Sequence, residues 1–205
     1  MRIPQMTSPQ FANRQNPKVY TQTGQQVYLS RACSVVAEVC LYEVTQAKWY
    51  ILLVKRGEAC PDFQGDWCLP CGYLDWDETL YQAMIREVYE ETGLYLSELH
   101  RHPQCQATYP CNFAIDATVL PWLIYDTPTG NRQNLAFHYA SWIAWTGDPL
   151  PTLTRLHPEE SADLAWVEIN IACEMTLAFG HQHRIRALQH DQAASFRQVE
   201  HMMQG

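Results

Sequence analysis

The stretch that most constrains this chain runs from Gly72 to Leu94: Gly72-Tyr73-Leu74-Asp75-Trp76-Asp77-Glu78, seven further residues, then Arg86-Glu87-Val88-Tyr89-Glu90-Glu91-Thr92-Gly93-Leu94. It reads as a loop followed by a charged helix. Glu87, Glu90 and Glu91 stand at i, i+3 and i+4, so at about 100° per residue they project from one helical face. Like charges so placed destabilise an isolated helix by roughly 0.2–0.5 kcal/mol per pair unless something positive sits among them. A divalent cation with oxygen ligands meets that need.

The ends of this helix are also marked. Asp77 is the expected N-cap; Leu80, Met84 and Val88 then form an i, i+4, i+8 apolar stripe, and Gly93 falls where a left-handed C-terminal residue is wanted. Arg86 lies four residues before Glu90, so its guanidinium can hold a carboxylate in one rotamer and keep it aimed.

Gly72, Glu78 and the run from Arg86 to Leu94 together resemble the complete Nudix box, a match over 23 of the 205 residues. The fixed positions span a loop, a helix and a helix cap, which makes the match far more specific than a short glycine motif. The resemblance extends outward. Lys55-Arg56 ends a β-rich run, Trp67 precedes Leu69-Pro70, and Leu177-Ala178-Phe179-Gly180-His181 is similar to the segment before the last helix of many family members. One departure is Cys71-Gly72, where the family commonly has Gly-Gly. A positive φ at Cys71 would cost about 1 kcal/mol.

The resemblance implies an α/β fold, the Nudix-type α/β/α sandwich with a mixed sheet between helices, and hydrolysis of a nucleoside diphosphate linked to another moiety. It implies metal binding by Glu87, Glu90, Glu91 and the Gly72 carbonyl, with Mg²⁺ the expected ion and Mn²⁺ the alternative. By the same resemblance Arg86 orients the glutamates, Glu78 braces the loop against Arg86, and Arg56 contacts substrate phosphate. The base that accepts the water's proton is Glu87 or Glu160. Glu160 lies six residues before Trp166, where an acidic loop residue of the family often approaches the metal site; Glu159 is the near alternative. Pro110, sixteen residues past Leu94, resembles the marker of the family's ADP-ribose pyrophosphatases. ADP-ribose or a nucleotide sugar is therefore the favoured substrate. The alternatives are a nucleoside triphosphate pyrophosphohydrolase and a non-catalytic nucleotide sensor, and the intact box favours catalysis over sensing.

With 205 residues, 47% of them hydrophobic, the chain can bury one domain, expected over 31–205 after an N-terminal extension, 1–30, rich in Gln, Asn, Thr and Pro. A net charge of -8 opposes a broad nucleic-acid footprint, so the expected partner is a small-molecule nucleotide, with a homodimer left open. No apolar run reaches the roughly 18–20 residues of a membrane span, and Met1-Arg2-Ile3-Pro4-Gln5-Met6 opens no signal-peptide core. The eight cysteines are thus expected as reduced thiols of a soluble, cytoplasmic protein. Cys68-Leu69-Pro70-Cys71 lacks the second pair that zinc would want.

Strands are expected at Val35–Tyr42 and Trp49–Val54, around Ala114–Leu120 and Trp122–Tyr125 with an interruption at Pro121, and at Asn134–Trp145. The aromatics of the last strand, Trp142 among them, fill a core by default and could otherwise line a base pocket; His138 reads as structural. A helix is expected from Ala172 to about Gln189, kinked or divided at Gly180.

Overall fold

The structure is a computed structural model that describes residues 16–109, 113–114, 118–127 and 134–204. The chain divides into two compact units, Met1–Ala32 and Cys33–Gly205. In the first, β1 (Lys18–Tyr20) and β2 (Gln26–Tyr28) form an antiparallel hairpin.

The second unit is built on β3 (Cys33–Glu43) and β4 (Lys48–Arg56), joined by a tight turn in which Ala47 takes a positive φ of 53°. Residues of a strand alternate between faces, and both faces of β3 are apolar: Val35, Ala37, Val39 and Leu41 enter one core, Val36 and Cys40 the other. Burial on both sides explains why the sequence reads as a continuous apolar run rather than an alternating one. The first core also holds Met84 and Val88 of α1 (Leu80–Thr92); the second holds Ile169 and Cys173 of α3 (Ile169–Glu174), Ile185 and Leu188 of α4 (His181–Asp191), and Phe196 of α5 (Ala193–Gln204). Each such side chain contributes about 1.5–3 kcal/mol by leaving water. The sheet therefore lies between helices, an α/β arrangement.

The remaining strands complete a mixed sheet in the order β10 (Ser161–Glu168), β4, β3, β9 (Leu135–Trp145), β7 (Cys105–Tyr109). Only the β3–β9 pair is parallel among the described ladders of this sheet. A short helix, α2 (Leu96–Leu99), follows α1, and β8 (Leu123–Tyr125) pairs with β9.

The feature that positions the site is a parting of the two central strands. β3 and β4 pair only from Cys40↔Ile51 to Glu43↔Lys48. Beyond that, β5 (Trp67–Cys68) pairs with β4, β6 (Cys71–Tyr73) pairs with β3, and the Ala37 N–H donates to the Pro70 carbonyl at 2.9 Å. The loop before α1 is thereby threaded into the gap.

Several expectations are corrected. The strand expected over 114–120 does not form across Thr118-Val119-Leu120; pairing starts at Leu123, after Pro121, which has no N–H to give a ladder. Residues 115–117 of that run, and Pro110, lie outside the described residues. The helix expected from Ala172 to about Gln189 is two helices, α3 and α4, separated by a 3₁₀ turn, Ala178–Gly180; the division falls at Gly180 as expected, in a left-handed conformation at φ 69°. Strands β7 and β10 were not anticipated. Trp142 is 4% exposed and packs near Tyr109 and Phe196 in the core. His138 is likewise buried, its Nδ1 2.6 Å from Glu38 Oε1, with Trp122 Nε1 donating to the other carboxylate oxygen at 3.2 Å. No helix among the described residues is long and apolar enough to cross a membrane, and the described cysteines are free.

Candidate active site

Helix α1 is started by Thr79, not Asp77. The Thr79 hydroxyl accepts from the Gln82 N–H at 3.2 Å while Gln82 Oε1 accepts from the Thr79 N–H at 2.8 Å, a reciprocal capping box that Asp77 cannot match from two residues upstream. Gly93 ends the helix at φ 67°, its N–H donating to the Tyr89 carbonyl at 2.7 Å. Between these caps the helix turns Arg86, Glu87, Glu90 and Glu91 toward the loop at β6.

Arg86 uses every N–H it has. Nε and Nη2 donate to the two carboxylate oxygens of Glu78 at 3.0 and 2.7 Å, Nη1 donates to Glu87 at 2.7 Å and Glu90 at 2.8 Å, and Nη2 also donates to the Tyr73 carbonyl at 2.9 Å. One guanidinium thus ties the loop to three carboxylates. Hydrogen bonding from Arg86 holds the Glu78 carboxyl below its usual range despite partial burial, and Glu78 in turn accepts the Asp75 N–H at 2.9 Å.

The three glutamates of the expected metal face have separate fates. Glu91 accepts the Cys71 N–H at 3.1 Å, and burial, followed by the nearby Cys71 and Glu87, pushes its carboxyl well above the usual range. Glu87 rests against the next residue of the same strand: a Cβ on Gly72 would fall inside its carboxylate, which would have to swing away from the position where Arg86 holds it. Burial, partly offset by Arg86, raises Glu87 as well. Glu90, its side chain 44% exposed, is drawn aside by Arg86. Among the described residues no three carboxylate, imidazole or thiol groups converge as a metal cage. Two largely desolvated carboxylates beside a strand nevertheless suit a hard cation, since Mg²⁺ is commonly held by one or two carboxylates together with substrate oxygens. Cys71 takes no positive φ, so replacing the family's first glycine leaves this loop in ordinary extended backbone.

Arg56, at the end of β4, is 8% exposed; its Nε donates to the Asp62 carbonyl at 2.9 Å, and its charge acts on the Cys71 thiol and on the Glu91 carboxyl. Glu160 reaches the same strand end through its backbone. Its carbonyl accepts the Gly57 N–H at 2.7 Å, that of Glu159 accepts the Ala59 N–H at 2.8 Å, and a Cβ on Gly57 would overlap both residues' backbone. The Glu160 side chain itself is exposed.

Sequence reading gave no role to His181 at the start of α4. It is buried, with Nδ1 accepting the Leu69 N–H at 3.0 Å, and burial, helped by the charges of His138, Arg184 and Arg56, lowers its pKa to about 3. The unfolded imidazole takes a proton near pH 6.5 and the folded one does not, so the stability this neutral histidine confers is complete above pH 6.5 and is lost as pH falls toward about 3. Glu87 and Glu91 act in the opposite sense, so the variant His181→Gln is the control. The stability advantage of the native chain over that variant, from urea unfolding, is expected to shrink by about 1.4 kcal/mol per pH unit below 6.5. A difference independent of pH would contradict this.

The NUDIX domain model matches residues 35–189. The chain superposes on the NUDIX domain of Shewanella oneidensis NrtR complexed with ADP ribose at a TM-score of 0.52, with 19% identity, over 84% of this chain and 93% of that one. It superposes equally, at 0.52 and 23% identity, on a bifunctional NMN adenylyltransferase/ADP ribose pyrophosphatase from Francisella tularensis complexed with AMP and Mn ion, over 79% of this chain and 42% of that one. At these identities the likeness is one of fold. The m7GpppN-mRNA hydrolase NUDT17 of Danio rerio is 39% identical over 69 residues, 34% of this chain, which spans 22% of that relative's length. With the family match covering more than half of its residues, this chain belongs to the NUDIX domain family.

Proposed function

We propose that the chain hydrolyses a nucleoside diphosphate linked to another moiety, ADP-ribose or a nucleotide sugar before others, giving a nucleoside monophosphate and a sugar phosphate. The observation that carries this reading is the meeting of Glu87 and Glu91 at Gly72 and Cys71 with Arg56 beside them, anionic oxygens for a cation next to a cation for phosphate. Glu87 and Glu91 would hold Mg²⁺ or Mn²⁺, with Glu90 and the Gly72 carbonyl as further oxygen donors. Bound there, the ion would neutralise phosphate charge and lower the pKa of a coordinated water. Arg86 positions Glu87 and Glu90, Glu78 fixes Arg86, and Arg56 binds phosphate. Glu87 or Glu160 accepts the proton of the attacking water.

Glu160→Gln is expected to lower kcat by about 100-fold with little change in KM, because a base acts as the transition state forms. An unchanged kcat, with Glu159→Gln impaired instead, would move the role by one residue. The substrate class is tested by Mg²⁺-dependent turnover of ADP-ribose, nucleotide sugars, dinucleotides and nucleoside triphosphates, with ¹⁸O water locating the attacked phosphorus. A kcat/KM for triphosphates well above that of every diphosphate-linked compound would replace the proposal with a triphosphate pyrophosphohydrolase. The similarity to NUDT17 favours a second reading within the same chemistry, so an m7GpppN cap dinucleotide belongs in the same panel.

A further inference from the structure

Two phenylalanines stand exposed beside Arg56, Phe63 at the start of a tight turn and Phe179 within another. Phe63 crowns the loop after β4, which closes on Arg56: the Arg56 N–H donates to the Asp66 carbonyl at 2.8 Å and the Gly65 N–H to the Arg56 carbonyl at 2.9 Å. Phe179 sits in the 3₁₀ turn before α4, which is tied to β5 by a bridge between Trp67 and Leu177. The rings meet edge to face with centroids 4.8 Å apart, and the Arg56 guanidinium lies 4.9 Å over the Phe179 ring. Phe63 remains 45% exposed and Phe179 43% exposed.

Both residues hold positive φ, 56° at Phe63 and 58° at Phe179, a backbone region that bulky residues avoid. Strained backbone persists where its surroundings over-determine it, and it concentrates at ligand sites. Here two separate turns each place a large apolar ring in water, next to a phosphate-binding candidate and the box carboxylates. Solvent-facing rings at that position invite a planar group.

We propose that Phe63 and Phe179 form a stacking platform for the nucleobase of the substrate, with Arg56 between the base and the diphosphate; this rests on the diphosphate reading given above. The platform offers hydrocarbon and no hydrogen-bonding edge, so it selects for an aromatic ring rather than for one particular base. Diphosphates without a base would gain nothing from it.

The test is calorimetric binding of AMP and of ribose 5-phosphate, with Mg²⁺, to the native chain and to Phe63→Leu and Phe179→Leu, which keep apolar bulk and remove the ring. Each variant is expected to raise the Kd for AMP about tenfold and to leave that for ribose 5-phosphate within about twofold, with Phe179→Trp restoring AMP affinity. If the pair merely clamped Arg56 in place, both ligands would weaken together, and that result overturns the platform, as does an unchanged Kd for AMP. Turnover of ADP-ribose is followed in parallel. Turnover with AMP affinity unmoved by the variants sinks the platform and leaves the diphosphate reading standing; a native chain that neither binds AMP nor cleaves any diphosphate sinks both.

Discussion

Glu91→Gln is expected to lower kcat/KM by at least about 100-fold while making the metal-free protein more stable by about 1–2 kcal/mol, a Tm roughly 2–8 °C higher. The two effects have one cause. Burial, and then the neighbouring Cys71 and Glu87, push the carboxyl well above its usual range, so keeping it ionised at neutral pH costs the folded state. An amide oxygen can still accept the Cys71 N–H that Glu91 accepts at 3.1 Å, so the variant keeps the contact and loses the charge. What it gives up is an anionic ligand for a divalent ion. Glu90→Gln should lose activity too, but without the gain in stability, because Glu90 is partly exposed and already paired with Arg86. Thermal melts in EDTA and Mg²⁺ titration calorimetry decide the matter. Near-normal turnover and metal affinity in both variants would remove the metal helix from the account.

Arg86→Ala should destabilise the fold by about 2–4 kcal/mol and lower kcat/KM by about 10–100-fold. Removing the side chain strands Glu78, Glu87, Glu90 and the Tyr73 carbonyl together, three of them mutually repelling. Arg86→Lys keeps a charge but has three N–H groups and no planar fork, so it should recover part of the stability and little of the activity. The acid limb gives a further check. Glu78 is held below its usual range, chiefly by hydrogen bonding from Arg86, so it contributes stability above its unfolded pKa that is lost as pH falls through the folded one. In Arg86→Ala that loss should vanish, leaving a shallower decline below about pH 4.5. A full acid-limb dependence in the alanine variant would mean that Arg86 is not the group holding Glu78 down.

The legible parts of the fold were those set by near neighbours in the chain. Met84 and Val88 entered the core as their spacing required, and Gly93 took its left-handed cap because a side chain there would be strained. The N-cap was misplaced because Asp77 is acceptable by type, whereas Thr79 wins through a second bond from Gln82. Strands β5 and β6 are two and three residues long and exist only because β3 and β4 part to receive them, an event with no local signal. β10 was not legible because the stretch from Glu160 to Trp166 stands out by its acidic spacing rather than as a strand, and the ladder to β4 supplies its backbone pairing.

By itself the sequence determined the helix, its cap glycine and the angular placement of Arg86, Glu87, Glu90 and Glu91, because helical periodicity is fixed by hydrogen bonds four residues apart. Tertiary structure decided which of those charges meet. It seated Glu91 at Cys71 and Glu87 at Gly72 and drew Glu90 to Arg86, and it joined Phe63 to Phe179 over Arg56 from distant turns. Desolvation and pairing depend on what other segments bring, so neither the raised carboxyls nor the exposed ring pair could be read from spacing along one helix.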